Sequence, residues 1–260
     1  MDQTIKNIID FLAPGLYQKV IPPGRYVLSD RPARKGRPFY FQIASEVQMS
    51  RVACYVDGFN LYHAISELNQ PHLQWLDIKA LAQSLCRDGE SLVKVAYFSA
   101  YATWLPGPYA RHRQYVAALK SRGVECHIAR FNEKTATCRS CGSSWKQHEE
   151  KETDVHFSLT FLEDAIDDVF DRALLISADG DHVPAVRRIR NRTPGKQIFL
   201  ATPPRRYSRA RELLSVCHSG IEIRPGRIAT CLFPQQVFDA SGTLAATRPP
   251  AYDPPLRPAH

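Results

Sequence analysis

Between Arg51 and Val216, short β-rich apolar runs alternate with helical stretches, and this alternation limits the possible folds more than any other feature of the 260-residue chain. "RVACYVD", "SLVKVAYFSAY", "VECHIARF", "RALLISAD" and "KQIFLAT" read as strands. "FNLYHAISEL", "LDIKALAQSLC", "PYARHRQYVAALKSRG", "KETDVHFSLTFLEDAIDDVFD", "HVPAVRRIRN" and "SRARELLSV" read as helices. Parallel strands need a long crossover, and a helix supplies it with a right-handed return over the sheet. The pattern predicts an α/β fold with a parallel central sheet and helices on both faces. In the fourth helix, Val155, Leu159, Leu162, Ile166 and Val169 recur at alternating spacings of four and three, which predicts the buried face.

The ends of the chain read differently. Residues 1–50 contain "APG", "IPPGR" and "RPARKGRP", turn and breaker signals with basic charge. They read as an N-terminal extension, either loosely structured or upstream of a start at Met49. Residues 51–236 read as the folded domain, including an irregular Cys-containing loop at 132–150. Residues 237–260 end in "TRPPAYDPPLRPAH" and read as a Pro-rich disordered tail. The seven cysteines are an odd number and no signal-like apolar run leads the chain, which predicts a cytoplasmic protein with reduced thiols. "IKNIIDFLA" is too short and too polar for a membrane span. A net charge of +8 favours a polyanionic partner.

Ligands of a parallel sheet bind beyond the carboxyl ends of its strands. Asp57 closes the first strand and Asp179 closes "ISAD", with Asp181 at the next helix start and Asp154 on the first turn of the fourth helix. Asn60 adds a neutral oxygen three residues after Asp57. Carboxylates brought together raise one another's pKa unless a cation intervenes. The donor set suits Mg²⁺ or Mn²⁺, which prefer oxygen and can activate water beside a phosphate. His182, next to the last aspartate, reads as a polar helix-start residue.

"YVDGFNLYH", "HEEKETDV", "ALLISADGDHVPAVRRIR" and "FLATPPRRYSRARELL" together resemble the NYN domain of the PIN-like nuclease superfamily, in its LabA-like branch. The resemblance runs from about Arg51 to Pro234. It implies a Rossmann-like domain, an acidic metal-binding cleft and a metal-dependent ribonuclease acting on single-stranded or structured RNA. It carries the metal-site roles onto Asp57, Asn60, Asp154, Asp179 and Asp181. A non-catalytic RNA-binding adaptor with the same fold is the alternative.

Two further groups stand out. Cys138 and Cys141 have a C-x-x-C spacing followed by Gly142, a zinc-knuckle-like turn, with His148 as third ligand of a structural Zn²⁺. For the fourth ligand Cys126, His127, water and a residue of a second subunit are open, the last implying a homodimer. Arg187, Arg188 and Arg190 after the acidic pair, and Arg205, Arg206 and Arg209 after the fifth strand, are placed to grip an RNA backbone. Tyr101, Trp104 and Tyr207 are candidates to stack on bases.

Overall fold

Strands β1 (Ser50–Asp57), β2 (Glu90–Ala100), β3 (Glu125–Thr137), β4 (Ser144–Lys151), β5 (Arg172–Ile176), β6 (Gln197–Thr202) and β7 (Ser219–Glu222) form a seven-stranded sheet in the order β4-β3-β2-β1-β5-β6-β7. The computed structural model describes residues 49–255, so the expected N-terminal extension and residues 256–260 lie outside the described residues. All neighbours in the sheet are parallel except β3 and β4. The mostly parallel α/β fold expected from the alternating pattern is the one observed.

Side-chain alternation along β1 divides the core. Val52, Cys54 and Val56 face helices α1 (Gly58–Ser66), α2 (Ile78–Ser84) and α3 (Pro106–Ser121). Ala53 and Tyr55 face α4 (Thr153–Ile166), α5 (Val183–Arg192) and α6 (Arg211–Val216). A short helix α7 (Pro225–Ala229) adds Ile228 to the first side. Each large apolar side chain buried this way contributes about 1.5–3 kcal/mol. The second side also buries a polar network: Tyr55 Oη donates to Asp164 Oδ2 at 2.7 Å, and Lys94 Nζ lies 2.9 Å from the same oxygen. A buried carboxylate with both a hydroxyl and an ammonium partner is tolerated where an unpaired one is not.

Local signals agree with the helix ends. Asp57 and Asp77 each accept an N–H from the first turn of the following helix. Pro106 begins α3, and Gly123, two residues beyond its last residue, adopts φ +77°, a left-handed conformation that favours glycine.

Three expectations change. First, the buried face of α4 is Phe157 and Phe161, with Thr153, Asp164 and Ala165. Val155 and Leu159 are more than half exposed, as is Ile166. The helix carries two apolar stripes, and the aromatic one wins because Phe157 and Phe161 fill the space beside Tyr55 at ring-centroid distances of 6.3 and 4.7 Å.

Second, residues 132–150 are not an irregular loop. β3 and β4 pair in antiparallel register from Arg130–Lys151 to Thr137–Ser144. Lys134 pairs with Glu149, and Lys146 with Glu133, across the ladder.

Third, the tail expected to be disordered from residue 237 is ordered through its described part, up to residue 255. β8 (Gln236–Phe238) and β9 (Leu244–Thr247) form a hairpin that buries Val237 and Ala246 on the α3 side. Backbone bonds from Arg248 N to Gln235 O (2.7 Å) and from Phe233 N to Trp75 O (3.0 Å) tie it down. Proline content alone misled because order here comes from contacts distant in sequence.

Candidate active site

β1 and β5 are parallel neighbours with Val56 opposite Ile176, so Asp57 and Ser177 emerge side by side at the carboxyl edge, on the Tyr55 face. Asp57 Oδ1 accepts the Asn60 N–H at 2.9 Å, which starts α1, and Oδ2 accepts the Ser177 hydroxyl at 2.9 Å. Ser177 Oγ in turn accepts the Asp179 N–H at 3.0 Å. Asp179 Oδ1 accepts the Asp181 N–H at 3.0 Å and begins the one-turn 3₁₀ segment Gly180–His182. One hydrogen-bonded chain thus links the ends of both strands.

Asp154 joins this edge from the first turn of α4. Its carboxyl is pushed above the usual carboxylate range, first by burial and then by the negative charges of Asp57, Asp179 and Glu150, with His182 opposing. The Asp154 carboxyl therefore lies within electrostatic reach of Asp57 and Asp179. Asp181 is exposed, and its contact with the group is through its backbone N–H. Asn60, expected to offer an oxygen to the site, uses Oδ1 to accept the Ala178 N–H at 3.1 Å, pinning the turn after β5.

His182 differs from the sequence reading. It is 1% exposed, its ring stacks on Phe157 at 4.0 Å, and Nε2 lies 3.5 Å from Asp57 Oδ2. Nδ1 is buried without a partner among the described residues. A lone serine between Ile176 and Ala178 at a strand end gives no signal of its own, so Ser177 was missed.

The donor chemistry fits a hard divalent cation: three oxygen-only side chains, one of them raised in pKa by burial and then by the charges of the other two. Among the described residues no three acidic, histidine or cysteine side chains are gathered closely enough to enclose an ion by themselves.

The other candidate groups separate. Arg190 Nη1 donates to the Val216 carbonyl at 2.8 Å, satisfying the end of α6. Arg206 is buried and bonded to Glu67, and Arg205 N donates to Glu222 Oε1 at 2.8 Å. The Arg190 and Arg206 guanidinium groups are thus engaged within the fold, whereas the Arg205 bond is made by its backbone N–H and its side chain is exposed. Arg187, Arg188 and Arg209 remain exposed. Of the aromatics, Trp104 already stacks on His148 at 3.7 Å, Tyr101 packs edge-on to Tyr109 and His112, and Tyr207 is exposed.

The zinc expectation fails at its third ligand. Cys138 and Cys141 share the β3–β4 turn, with Cys138 N donating to Ser143 O and Gly142 N to Cys138 O. His148 pairs with Glu133, four rungs from the Thr137–Ser144 end, about 13 Å along the ladder. Cys126 and His127 lie at the far end of β3. The extended hairpin stands where an irregular loop was expected, and all seven cysteines are free.

A mostly parallel seven-stranded sheet with helices on both faces is the α/β architecture of a PIN-like domain. The NYN domain profile matches residues 51–224, and the chain belongs to that family. The family places it in the PIN-like nuclease superfamily, whose NYN members act on RNA and typically use divalent metals. The chain is 26% identical over 180 residues to a 6-hydroxy-3-succinoylpyridine 3-monooxygenase of Pseudomonas putida (strain DSM 28022 / S16). That match covers 68% of this chain and 57% of the relative's length. A crystal structure of a protein of unknown function from Vibrio parahaemolyticus RIMD 2210633 is similar at 23% identity and TM-score 0.45, covering 68% of this chain and 95% of that one. Among the described residues no helix is long and apolar enough to cross a membrane.

Proposed function

We propose that this chain is a metal-dependent endoribonuclease of the LabA-like branch, working in the cytoplasm on RNA phosphodiesters. One observation carries the reading: Ser177 ties Asp57 and Asp179 together at the carboxyl ends of two adjacent parallel strands, and the Asp154 carboxyl, raised first by burial, lies near enough to feel both charges. Asp57, Asp154 and Asp179 would hold Mg²⁺ or Mn²⁺, which when bound supplies water activation and charge stabilisation at the phosphate. Ser177 orients Asp57, and Asn60 holds the neighbouring turn. Asp181 stands at the solvent side, where it can orient water or substrate. Exposed Arg187, Arg188 and Arg209 neutralise backbone phosphates, a contribution that weakens with salt.

The test is incubation of the purified protein with end-labelled single-stranded and hairpin RNA in Mn²⁺, beside Asp179→Asn. Internal cuts leaving 5′-phosphates, lost in the variant, are expected. Saturable RNA binding without cleavage by the parent would instead establish the non-catalytic adaptor. The name of the Pseudomonas relative suggests a second reading, oxygenation of a pyridine ring. The observation favouring it is an aromatic-walled cavity of about 350 Å³ beside Gly58. Turnover of a hydroxypyridine with a reduced cofactor and oxygen, absent RNA cleavage, would select it.

A further inference from the structure

The same cavity lies between α1, the end of β2 and the start of α3, on the opposite face of the sheet from Ser177 and Phe157. Its walls include Phe59, Tyr62, Tyr97, Tyr115, Phe131 and Tyr252. Its volume of about 350 Å³ lies at the small end of ligand sites, which run from roughly 300 to 1,000 Å³. Polar groups converge on it from α3 and β2: Arg111, His112 and the buried Ser99.

The charge of the lining narrows the occupant. Among the described residues no aspartate or glutamate lines the cavity, whereas Arg111 and two histidines do. Burial lowers the His112 pKa to about 4, so the imidazole is neutral at physiological pH. Its Nε2 sits 3.3 Å from Tyr97 Oη. The cavity therefore offers flat apolar walls, uncharged hydrogen-bonding groups within and one permanent cation. These suit a planar heteroaromatic ring carrying an anionic group.

Position relates the cavity to the acidic edge. Gly58 lines it and directly follows Asp57. A Cβ at Gly58 would stand 2.6 Å from Phe98 O and 2.7 Å from the Tyr97 ring, so the β1–α1 turn is pressed against the cavity wall. One turn of chain thus presents a carboxylate to the acidic edge and, at the next residue, backbone to the cavity.

We propose that this cavity receives one base of the RNA substrate, with Arg111 meeting the attached phosphate, and so positions the nucleotide beside the bond that is cut. The proposal rests on the ribonuclease reading for the source of the ring. Aromatic packing discriminates a base from its absence because every base presents a π-face.

The test measures binding to the full chain in EDTA, where no metal-dependent cleavage occurs. The probes are the four nucleoside 5′-monophosphates, ribose 5-phosphate and pyridine-3-carboxylate. At least one nucleotide should bind about tenfold more tightly than ribose 5-phosphate. Ala102→Trp, which fills the cavity from a half-buried position on its wall, should remove that difference without changing the melting temperature. If that variant unfolds, Leu105→Trp, from an exposed wall position, replaces it. A second arm uses RNA with a single abasic site, which should suppress the cut next to it. Equal binding of nucleotides and ribose 5-phosphate overturns the proposal, as does base preference surviving in a folded cavity-filled variant. Tighter binding of pyridine-3-carboxylate than of every nucleotide also overturns it, assigning the cavity to a free small molecule. Base-dependent binding without RNA cleavage would keep the cavity's ligand and remove the nuclease reading. Cleavage without base-dependent binding would do the reverse.

Discussion

Ser177 and Asp57, 120 residues apart in sequence, are joined by a hydroxyl-to-carboxylate hydrogen bond of 2.9 Å at the carboxyl ends of two adjacent parallel strands. Because Ser177 Oγ also accepts the Asp179 N–H, it fixes two of the acidic residues relative to each other. Ser177→Ala should cost about 1–3 kcal/mol in folding stability. It should also weaken Mn²⁺ binding by about 10- to 100-fold, the usual effect of losing a residue that orients a ligand. Urea unfolding and Mn²⁺ titration of one preparation give both quantities. A variant with parental Mn²⁺ affinity would reduce Ser177 to a structural cap.

Asp179→Asn keeps the shape of the side chain while removing one negative charge near Asp154. The metal-free protein should hold its melting temperature or gain slightly, since repulsion at the edge falls. RNA cleavage should fall by orders of magnitude, on the order of 100-fold or more, while RNA binding persists. Undiminished cleavage by this variant would move the nuclease site elsewhere.

On α4, the two apolar stripes should respond differently. Phe157→Ala removes a fully buried ring that packs on Tyr55, Phe98 and His182, and should cost about 3–5 kcal/mol. Leu159→Gln alters a half-exposed position and should stay within about 0.5 kcal/mol of the parent. Chemical denaturation of the two variants separates the faces, and equal losses would contradict the burial pattern.

His112 gives a pH dependence with a defined sign. Burial lowers its pKa from an ordinary 6.5 to about 4, so between those values the unfolded chain binds the proton and the folded chain does not. The contribution to stability is complete above 6.5 and is lost as pH falls towards 4, by at most about 3 kcal/mol. His112→Gln should flatten that part of the stability curve. An unchanged slope would show that this group does not titrate there.

The cysteines should also differ in reactivity. Hydrogen bonds from Ser143 and then Cys138 bring the exposed Cys141 thiol down to about 7, whereas burial pushes Cys217 up to about 12 and Cys54 higher. At neutral pH, brief alkylation followed by peptide mass mapping should label Cys141 first. Faster labelling of Cys54 or Cys217 would contradict the fold.

What the sequence disclosed depended on the range of the physics involved. The strand and helix alternation was legible because each element shows its own period, and the position of the aspartates at the carboxyl edge was legible because they stand where elements end or begin. The buried face of α4 was not, since Phe157–Phe161 and Val155–Leu159–Leu162–Ile166 both satisfy helical spacing. The neighbouring Tyr55, Phe98 and His182 decide between them. Ser177, Asn60 and His182 gain their roles from partners across the sheet edge. The hairpin after β2's neighbour and the ordered C-terminal strands likewise depend on pairing that local composition does not encode.

The two ends of the sheet carry a consequence for how the molecule meets copies of itself. An open sheet leaves an unpaired row of backbone groups at each margin, a template on which another strand can assemble. Here one margin is β4, whose sequence "SWKQHEEK" is densely charged, and the other is β7, only four residues long. Lys134 and Lys151 hold the Glu149 carboxyl down at about 2, so that margin keeps its charge through mild acid. Strand-by-strand polymerisation is therefore opposed at both margins, by charge at one and by brevity at the other.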